Sequence, residues 1–400
     1  MMDIRDTGEL NITKTYQRIR PKRALMIASV ASMLDLFNSE NIDILLKLGY
    51  EVDAAANFEL GSITSQERVE EYKQELKSKG VCVHNIPIPR DIFKIRQMLH
   101  SYKKIKKLAD KNEYDIVHCH SPIGGVLCRL ACRDARRRGT KVIYTAHGFH
   151  FFKGAGRIAW ALYYPAERFC ANFTDILITI NREDYKASKK FHAGRTVYLP
   201  GIGIHVDEIK NLSVDRNQKR EELGLAPSDF VFMSTGQISV RKNHEVVIRA
   251  LSRIKNPNVK YLIVGFGELE ETLKHLAWNL GLKDRVIFAG YRKDVKELLH
   301  AADAFVFPSL QEGLPVALME AAAAGIPIVA SRIRGNVDLI KDGAGGYLAD
   351  CHDAAGFAEA MKRVMVTDID SMVQYNSVEI KKYDSHYVNN IMKKIYESVR

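Results

Sequence analysis

Residues 303–330 read DAFVFPSLQEGLPVALMEAAAAGIPIVA, a stretch in which two apolar runs flank a loop and a helical segment. The runs 303–307 and 326–330 have the length of buried strands. Pro315 is pre-set for the first turn of a helix, so a helix is predicted to begin there. A strand, a helix and a second strand in this order predict a parallel sheet covered by helices.

The same alternation of apolar runs and helical patterns extends over the whole chain of 400 residues. Further runs of strand length lie at 24–30, 50–55, 81–86, 115–119, 141–146, 175–180, 230–235, 260–264 and 285–289. These runs are too apolar for sheets with one solvated face, which favours parallel sheets with helices on both faces. The sequence therefore predicts an α/β protein with two doubly wound Rossmann-like domains.

The pattern breaks near residues 199–203, where a proline and two glycines interrupt the periodicity, and the chain is predicted to divide there. We assign residues 1–200 to the first domain and residues 201–384 to the second. A last helical segment over about 385–400 could pack back on the first domain. Residues 1–20 show no usable periodicity.

Positive charge is concentrated in one quarter of the chain. The net formal charge is +11, and residues 101–200 hold 19 basic against 8 acidic side chains, whereas residues 1–100 hold 14 of each and residues 201–400 hold 26 of each. A basic surface attracts nucleic acid, anionic lipid or phosphorylated substrates, and composition does not choose among them. No uncharged run reaches the roughly 20 residues of a membrane-spanning helix.

Two glutamates lie close to the predicted start of the helix. The helix N-terminus is predicted over Gly313 to Val316, and the free amides there, together with the positive end of the helix dipole, form a natural anion site. Glu312 lies in the loop before this site and Glu320 lies about one and a half turns inside the helix, so both could reach one ligand. The alternative is a surface glutamate and an unrelated helix glutamate, but the surrounding glycines, prolines and alanines favour a ligand site.

The spacing Glu312-x7-Glu320 within this stretch resembles the signature of glycosyltransferase family 4, whose members are retaining enzymes of the GT-B fold. Flanking motifs of the family occur in order, and they are Thr235-Gly236, Lys242-Asn243, Val264-Gly265-Phe266-Gly267, Val286-Ile287-Phe288-Ala289-Gly290 and Ala302-Asp303. The resemblance covers nearly all of residues 23–365. Within the family, residues 145–151 (TAHGFHF) and 177–185 (LITINREDY) are similar to bacterial capsular and exopolysaccharide transferases. The implied fold is GT-B, in which two Rossmann-like domains face each other across a cleft.

This resemblance implies a binding site for a nucleotide-sugar donor in the second domain. Glu320 would bind the ribose, Glu312 the hydroxyls of the donor sugar and Lys242 the diphosphate. The helix amides would help to stabilise the leaving group. Donor contacts are implied for the glycines of the flanking motifs, for the two residues beside the base and for the first helix amides, namely Gly236, Gly265, Gly267, Tyr291, Arg292, Gly313 and Leu314.

Two positions of this donor site leave alternatives open. Gln237 stands where the family usually has arginine, and Arg241 is the candidate to supply the missing charge. Tyr291 is equally well explained as a surface aromatic.

Glu270 occupies the third glycine position of a GxGxxG motif, which weighs against a dinucleotide-dependent dehydrogenase.

In the first domain, His147 follows the run 141–146, at the carboxyl end of a parallel strand where ligands bind. The resemblance places this histidine against the donor sugar near the anomeric carbon, and it makes His147, Glu312 and Lys242 the predicted catalytic residues. Without the resemblance, His147 would be interpreted as a turn residue. Acceptor contacts are predicted for polar residues near the ends of strands in this domain, and these are Ser32, Asp35, His120, Ser121 and His150.

Together these features predict a retaining glycosyltransferase of surface polysaccharide biosynthesis. It would move a hexose or N-acetylhexosamine from a nucleotide diphosphate sugar, with UDP as the expected nucleotide, to a saccharide on polyprenyl diphosphate. Neither a metal nor another cofactor is expected, because no DxD motif accompanies the phosphate motif and Lys242 with helix amides can replace a cation. The expected location is cytoplasmic and peripheral, with the basic first domain on the inner face of the cell membrane and no nucleic acid as partner.

The segment 91–109 bears on that membrane contact. It carries apolar side chains at helical spacing among six lysines and arginines. A packed helix with a solvated face is one interpretation, and a helix that lies on the membrane surface is the other.

Two other functions remain open at this point. One is a nucleotide-sugar epimerase of the GT-B fold, which would need no lipid acceptor. The other is a basic protein that binds nucleic acid through the surface of residues 101–200.

Overall fold

The structure is a computed structural model that describes residues 20–59 and 64–399. The absence of periodicity over residues 1–20 therefore concerns a segment that lies, except for Arg20, outside the described residues.

Thirteen strands in the described part of the chain form two parallel sheets. The strands of the first sheet are β1 (Lys22–Val30), β2 (Tyr50–Asn57), β3 (Cys82–Asn85), β4 (Ile116–His120), β5 (Lys141–Ala146), β6 (Ile176–Thr179) and β7 (Arg195–Tyr198), in the order β3-β2-β1-β4-β5-β6-β7. Those of the second are β8 (Phe230–Thr235), β9 (Val259–Val264), β10 (Val286–Gly290), β11 (Ala304–Phe307), β12 (Ile328–Ser331) and β13 (Tyr347–Ala349), in the order β10-β9-β8-β11-β12-β13. We call the units built around these sheets the first and second domains.

Helices cover both faces of each sheet. Those that follow strands of the first sheet are α1 (Ala31–Lys47), α2 (Gln66–Ser78), α3 (Ile95–Asn112), α4 (Pro122–Ala131), α5 (Arg133–Arg137), α6 (Arg157–Ala171) and α7 (Arg182–Ser188). The remaining ones are α8 (Val206–Lys210), α9 (Arg216–Glu221), α10 (His244–Leu251), α11 (Glu270–Asn279), α12 (Val295–Ala301), α13 (Val316–Ala323), α14 (Asn336–Leu339), α15 (Ala354–Val366), α16 (Ile369–Glu379) and α17 (Ser385–Glu397). Short 3₁₀ turns lie at Val240–Lys242 and Ile380–Tyr383.

The eleven predicted strands are all present, each within two residues of its predicted ends. Most of these strands are buried on both sides of the sheet; Leu25, Met26 and Ile27 of β1, for example, have no exposed surface, whereas the edge strands β3 and β10 are partly exposed. This two-sided burial explains the continuous apolar runs. The two strands that the pattern missed, β7 and β13, are short edge strands with partly exposed residues, so they carry no long apolar run.

The predicted doubly wound α/β architecture is thus confirmed. In both domains the predicted site residues lie at, or in loops that follow, the carboxyl ends of the strands. His120 ends β4 and His147 directly follows β5, while the loop with Glu312 joins β11 to α13. Ligands of doubly wound sheets bind at this edge.

The chain crosses between the domains twice, and the two crossings lie side by side. Ile204 forms a parallel bridge with Asp384, its amide donates to the carbonyl of Tyr383 at 3.0 Å, and the amide of Ser385 donates back to Ile204 at 2.8 Å. After the second crossing, α17 returns to the first domain, where it packs against α1. Its buried residues, Val388, Met392, Ile395 and Tyr396, join the hydrophobic core of β1 and β2.

Candidate active site

Two adjoining cavities lie in the cleft between the domains, with volumes of about 580 Å³ and about 300 Å³. Both cavities are lined by Phe37, His147, Ile202, Val316 and Ala317. Polar residues of the larger cavity include Asp35, Asn38, Glu40, His120, Lys296 and Glu320. The smaller cavity is lined by Lys242, Glu312, Gly313 and Leu314. The three predicted catalytic residues therefore surround the smaller cavity.

Glycines allow the two domains to touch at this point. A Cβ atom on Gly313 would collide with the carbonyl oxygen of His147, and a Cβ on Gly148 would lie 3.1 Å from the Cα of Gly313. Gly148 also has a φ of 138°, a conformation that L side chains rarely adopt. The backbone of the His147 loop is therefore in direct contact with the first residues before α13.

The loop after β8 is tied to the loop that carries Glu312. Asn243 adopts the left-handed conformation with φ 55°, and its side-chain Nδ2 donates to the carbonyls of Pro308 at 3.1 Å and Cys351 at 2.7 Å. The amide of Leu310 donates to the carbonyl of Arg241 at 2.8 Å. These bonds explain why a Lys-Asn pair at this position holds the lysine beside Glu312.

Lys242 and Arg241 converge on a single carboxylate oxygen. Lys242 Nζ donates to Glu312 Oε1 at 2.9 Å, and Arg241 Nη1 donates to the same atom at 2.7 Å. Burial lowers the pKa of Lys242, and the charge of Glu312 opposes this shift. Two cations on one carboxylate leave an excess of positive charge, which suits an anionic ligand. Gln237 contacts Glu268 instead, at 3.4 Å, so the second cation at this site comes from Arg241.

The two predicted glutamates line different cavities of the same cleft. Glu312 lines the smaller cavity, whereas Glu320 projects from α13 into the larger one. Burial raises the pKa of Glu320, and the nearby Lys296 opposes this shift. Pro315 precedes the first residue of α13, as the sequence predicts, and Pro315, Val316 and Ala317 line the smaller cavity, so the start of the helix lies at its wall.

A row of three histidines lies at the carboxyl ends of β4 and β5, with His118 and His120 in β4 and His147 directly after β5. The ring centres of His118 and His120 are 4.1 Å apart, and His120 Nδ1 lies 3.1 Å from His147 Nε2. The other nitrogen of His120 faces the sulfur of Met26 at 3.2 Å. Because a thioether can only accept, we infer that His120 is protonated at Nε2 and that His147 donates from its own Nε2. Nδ1 of His147 is then left as a hydrogen-bond acceptor.

The environment also keeps these histidines neutral. Burial lowers the pKa of His147 to about 4 and that of His118 to about 3, and it holds the pKa of His120 well below its ordinary value. A neutral His147 can accept a hydrogen bond from a ligand hydroxyl at physiological pH. It is not a source of positive charge there.

Stability should therefore fall as the pH falls from 7 to 5.5. The folded-state pKa of a buried neutral histidine is lower than its unfolded pKa, so the unfolded chain takes up the proton first as the pH falls. This protonation stabilises the unfolded state relative to the folded state, and the free energy of unfolding decreases as the pH falls through about 6.5. Each such histidine costs about 1.3 kcal/mol in total between pH 7 and 5.5, and the slope approaches about 1.4 kcal/mol per pH unit only at the acid end of that window. His244, whose pKa burial lowers to about 3, adds to the three active-site rings. Urea unfolding across this range should show the decline.

A single substitution tests the contribution of one ring. His147→Asn should reduce the pH slope by the share of one histidine, because burial lowers the pKa of His147 to about 4. A free energy of unfolding that stays constant between pH 7 and 5.5 would contradict the neutral state of the histidine row.

Two of the five predicted acceptor residues line the larger cavity, namely Asp35 and His120. Asp35 is already paired with Arg68 at 2.7 Å. Ser32 and Ser121 are buried and line neither cavity; the hydroxyl of Ser121 accepts from the amide of Ser29 at 3.3 Å. His150 is exposed, its ring lies 4.7 Å from that of Tyr163, and it too lines neither cavity. Acceptor contacts by all five residues stay predictions.

The outer part of the predicted donor site lies beyond the two cavities. Gly265 permits a close approach to Gly236, since a Cβ there would collide with the carbonyl oxygen of Gly236, and Gly267 does the same for Ile238. Tyr291 is exposed, with its ring centre 6.2 Å from that of Phe266.

Arg292 also lies in this outer part, and its guanidinium is held by carboxylates. It donates to Asp294 at 2.6 Å and to Glu222 at 3.2 Å. A direct contact between Arg292 and a base would have to compete with these bonds. The donor roles of Arg292 and Tyr291, like those of the glycines, stay predictions.

Sequence reasoning missed a buried ion pair between the domains. Arg334, after β12, contacts Asp184 at the start of α7 at 2.8 Å. Asp184 belongs to one of the motifs that indicated the family, but no local pattern links it to an arginine 150 positions away.

Two parallel-sheet domains with a cleft at the carboxyl ends of their strands define the GT-B class of glycosyltransferases. Comparison with known families agrees with this class. Residues 27–181 match the family described as glycosyl transferase 4-like, and residues 215–376 match the family described as glycosyl transferases group 1. EpsD of Bacillus subtilis (strain 168), which is named as a glycosyltransferase, is 38% identical over 348 residues, or 86% of this chain and 87% of EpsD. The chain therefore belongs to the family 4 glycosyltransferases of the GT-B fold.

A second relative fits the same family, and two solved structures share the fold. The UDP-Gal:alpha-D-GlcNAc-diphosphoundecaprenol alpha-1,3-galactosyltransferase of Escherichia coli is 34% identical over 283 residues, which cover 69% of this chain and 72% of that enzyme. The crystal structure of Anabaena HepE in complex with UDP superposes with a TM-score of 0.75 at 20% identity, covering 94% of this chain and all of HepE. WaaG, a glycosyltransferase involved in lipopolysaccharide biosynthesis, superposes with a TM-score of 0.69 at 16% identity, over 93% of this chain and 99% of WaaG.

Proposed function

We propose that this glycosyltransferase moves a hexose or N-acetylhexosamine from a UDP-sugar to a saccharide on polyprenyl diphosphate, with retention of the anomeric configuration, in surface polysaccharide biosynthesis. The convergence of Lys242 and Arg241 on Glu312, beside the first amides of α13, is the observation that carries this proposal. It is an anion site at one wall of a cleft whose other wall carries His147.

The donor diphosphate would replace Glu312 as the partner of both cations. Lys242 and Arg241 then stabilise the charge that develops on the leaving diphosphate, together with helix amides near Gly313. Glu312, released from the cations, accepts hydrogen bonds from the sugar hydroxyls, and Glu320 accepts from the ribose. Because the two cations and the amides supply the positive charge, we propose that the reaction needs no metal.

Retention is proposed to proceed by substitution on one face of the sugar. The bond between the anomeric carbon and the diphosphate oxygen breaks, and the acceptor hydroxyl oxygen bonds to the same carbon from the same face. The hydroxyl proton passes to an oxygen of the leaving diphosphate. His147 orients the donor sugar through its free Nδ1. No carboxylate is assigned as a nucleophile, since Glu312 serves the sugar hydroxyls and Asp35 is bound to Arg68.

The Escherichia coli relative supports the proposed substrates. Its name assigns it a UDP-galactose donor and an acceptor in which N-acetylglucosamine is carried on diphosphoundecaprenol. At 34% identity over most of both chains, a UDP-hexose donor and a lipid-diphosphate acceptor are the natural proposal for the present chain.

An exposed apolar surface on the first domain supports a peripheral contact with the membrane. Large apolar side chains project from the start of α3 and from α6, and they are Phe93, Ile95, Leu99, Ile158, Trp160 and Leu162. Between these helices runs an apolar groove of about 180 Å³. Exposed basic residues lie on the same elements, and they include Lys94, Arg96, Lys103, Lys104, Lys107, Lys153 and Arg157. Within residues 20–59 and 64–399, no helix is long and apolar enough to cross a bilayer.

This surface should bind anionic vesicles. The double variant Phe93→Ser/Ile95→Ser is expected to lower the affinity for phosphatidylcholine vesicles that contain phosphatidylglycerol by about tenfold or more, because burying each side chain in the interface is worth about 1.5–3 kcal/mol. Co-sedimentation measures this. Val366→Ser is the matched control, because Val366 is equally exposed on the second domain. Equal binding by both variants would contradict the assignment of the surface.

Nucleotide preference can be tested by thermal unfolding with UDP, GDP or ADP. UDP at about 100 times its Kd should stabilise the protein by about 2.7 kcal/mol, and GDP and ADP should stabilise it less. Glu320→Gln should weaken the effect of UDP, whereas Glu359→Gln, at an exposed site on α15, should not. Stabilisation of the folded wild-type protein by none of the three nucleotides would contradict the proposed donor.

A further inference from the structure

Arg334 joins the two loops that carry the predicted catalytic residues. It lies in the second domain between β12 and α14, and its side chain is 3% exposed. Its Nε donates to the carbonyl of Glu312 at 3.0 Å. Its Nη1 donates across the cleft to the carbonyl of Phe149 at 2.9 Å and to Asp184 Oδ1 at 2.8 Å. One guanidinium therefore binds the backbone of both loops.

Asp184 binds the loop that carries His147 from the side opposite to Arg334. Its second oxygen accepts from the amide of Phe149 at 2.9 Å and from the side chain of Asn181 at 2.8 Å. The peptide groups on both sides of Phe149 are thus fixed, one by Asp184 and the other by Arg334. Phe149 follows His147 by two residues, so this arrangement determines where His147 lies in the cleft.

The pair is also distinctive among the contacts between the domains. Several ion pairs of the described residues connect the two domains. Among them, Arg334–Asp184 is the pair whose side chains are both buried, at 3% and 1% exposure. Arg182 and Asp338 form a longer contact, at 3.9 Å, and Arg182 is largely exposed. Opening the cleft would remove Arg334 from its first-domain acceptors, so the pair favours the closed form.

We propose that Arg334 is a positioning residue that sets the His147 loop in register with the Glu312 loop and, through Asp184, stabilises the closed cleft. Its role in turnover rests on the proposed function, whereas its role in closure does not. The rigid fork of arginine suits this task because it reaches three acceptors on two domains in one plane. Lysine keeps the charge but cannot make the three bonds, so charge alone should not replace Arg334.

Arg334→Ala and Arg334→Lys test this role, with Arg332→Ala as the matched control. Arg332 lies two residues earlier, is exposed, and pairs with Asp342 inside its own domain. Both Arg334 variants should lower kcat about tenfold to a hundredfold, since small misplacements of reacting groups have effects of that size. Their Kd for UDP should change less than about threefold, because the inferred donor contacts remain. Arg332→Ala should behave as wild type in both assays.

Small-angle scattering without nucleotide tests closure separately. The radius of gyration should increase in both Arg334 variants and in Asp184→Asn, and stay unchanged in Arg332→Ala. Combining Arg334→Ala with Asp184→Asn should lower kcat little more than either change alone, because the pair acts as a unit. If Arg334→Ala does not fold, Arg334→Lys and Asp184→Asn carry the test.

Two results would overturn the proposal: a kcat within twofold of wild type in the Arg334 variants, or wild-type scattering from them. A failure of the wild-type protein to use any UDP-sugar would count against the proposed function instead, and the scattering result would still decide the role in closure.

Discussion

Lys242→Ala is expected to lower kcat about 10²- to 10³-fold, the usual effect of removing one preorganised group that stabilises transition-state charge. Lys242 is largely buried beside Glu312, and its Nζ lies 4.5 Å from the ring centre of Phe307. The charge it meets in the proposed reaction grows as the bond to the diphosphate breaks. The loss should therefore appear mainly in kcat, with a smaller change in the Kd for UDP.

Arg241→Ala is the informative comparison, because Arg241 shares the same Glu312 oxygen but is about half exposed. Solvent weakens its contribution, so we expect a smaller loss than for Lys242→Ala. Arg249→Ala, at an exposed site on α10, should have no effect. Steady-state rates with a UDP-sugar give the comparison. If Lys242→Ala retains more than a tenth of wild-type kcat, the assignment of Lys242 to the leaving group is wrong.

Gly313→Ala is expected to be the second large loss, of about 10²-fold in turnover. Its new Cβ, which is fixed to the Cα, would collide with the carbonyl oxygen of His147, a backbone atom, so neither atom can rotate away. The domains must then separate slightly, which removes His147 from the donor. UDP should still bind, because the inferred contacts of Lys242 and Glu320 lie within the second domain.

Gly156→Ala provides the control for this change. A Cβ on Gly156 meets open space and its φ is −62°, so the substitution adds a methyl group without strain. Its activity should equal that of wild type. Equal turnover by Gly313→Ala would show that the close contact between the loops is not needed for transfer.

The sequence predicts the fold well because most strands are buried on both faces. A strand such as β1 has no solvated side, and its apolar run is therefore unbroken. The edge strand β7 has partly exposed residues and begins with an arginine, so hydropathy alone does not identify it. The return of α17 to the first domain is not determined by its own pattern, since an apolar face at helical spacing fits either domain.

The residues of the candidate site also fall into those that the sequence predicts and those that it does not. Lys242, Glu312 and Glu320 belong to short motifs, and the structure places all three at the cleft. His150 lies next in space to Tyr163 rather than beside His147, because the backbone turns sharply at Gly148. The Arg334–Asp184 pair joins residues 150 positions apart, and only the assembled domains bring them together. Contacts of this kind depend on how two domains pack, which no local pattern records.

The most direct test of the account is a transfer assay with the full chain. Radiolabelled UDP-galactose, UDP-glucose and UDP-N-acetylglucosamine would each be incubated with N-acetylglucosaminyl-diphosphoundecaprenol, and the lipid products separated and analysed by NMR. We predict that at least one donor yields a lipid-linked disaccharide with an α linkage, and that Lys242→Ala forms this product about 10²- to 10³-fold more slowly. Conversion of a UDP-sugar to its epimer without any lipid-linked product would contradict the account, and so would a β-linked product.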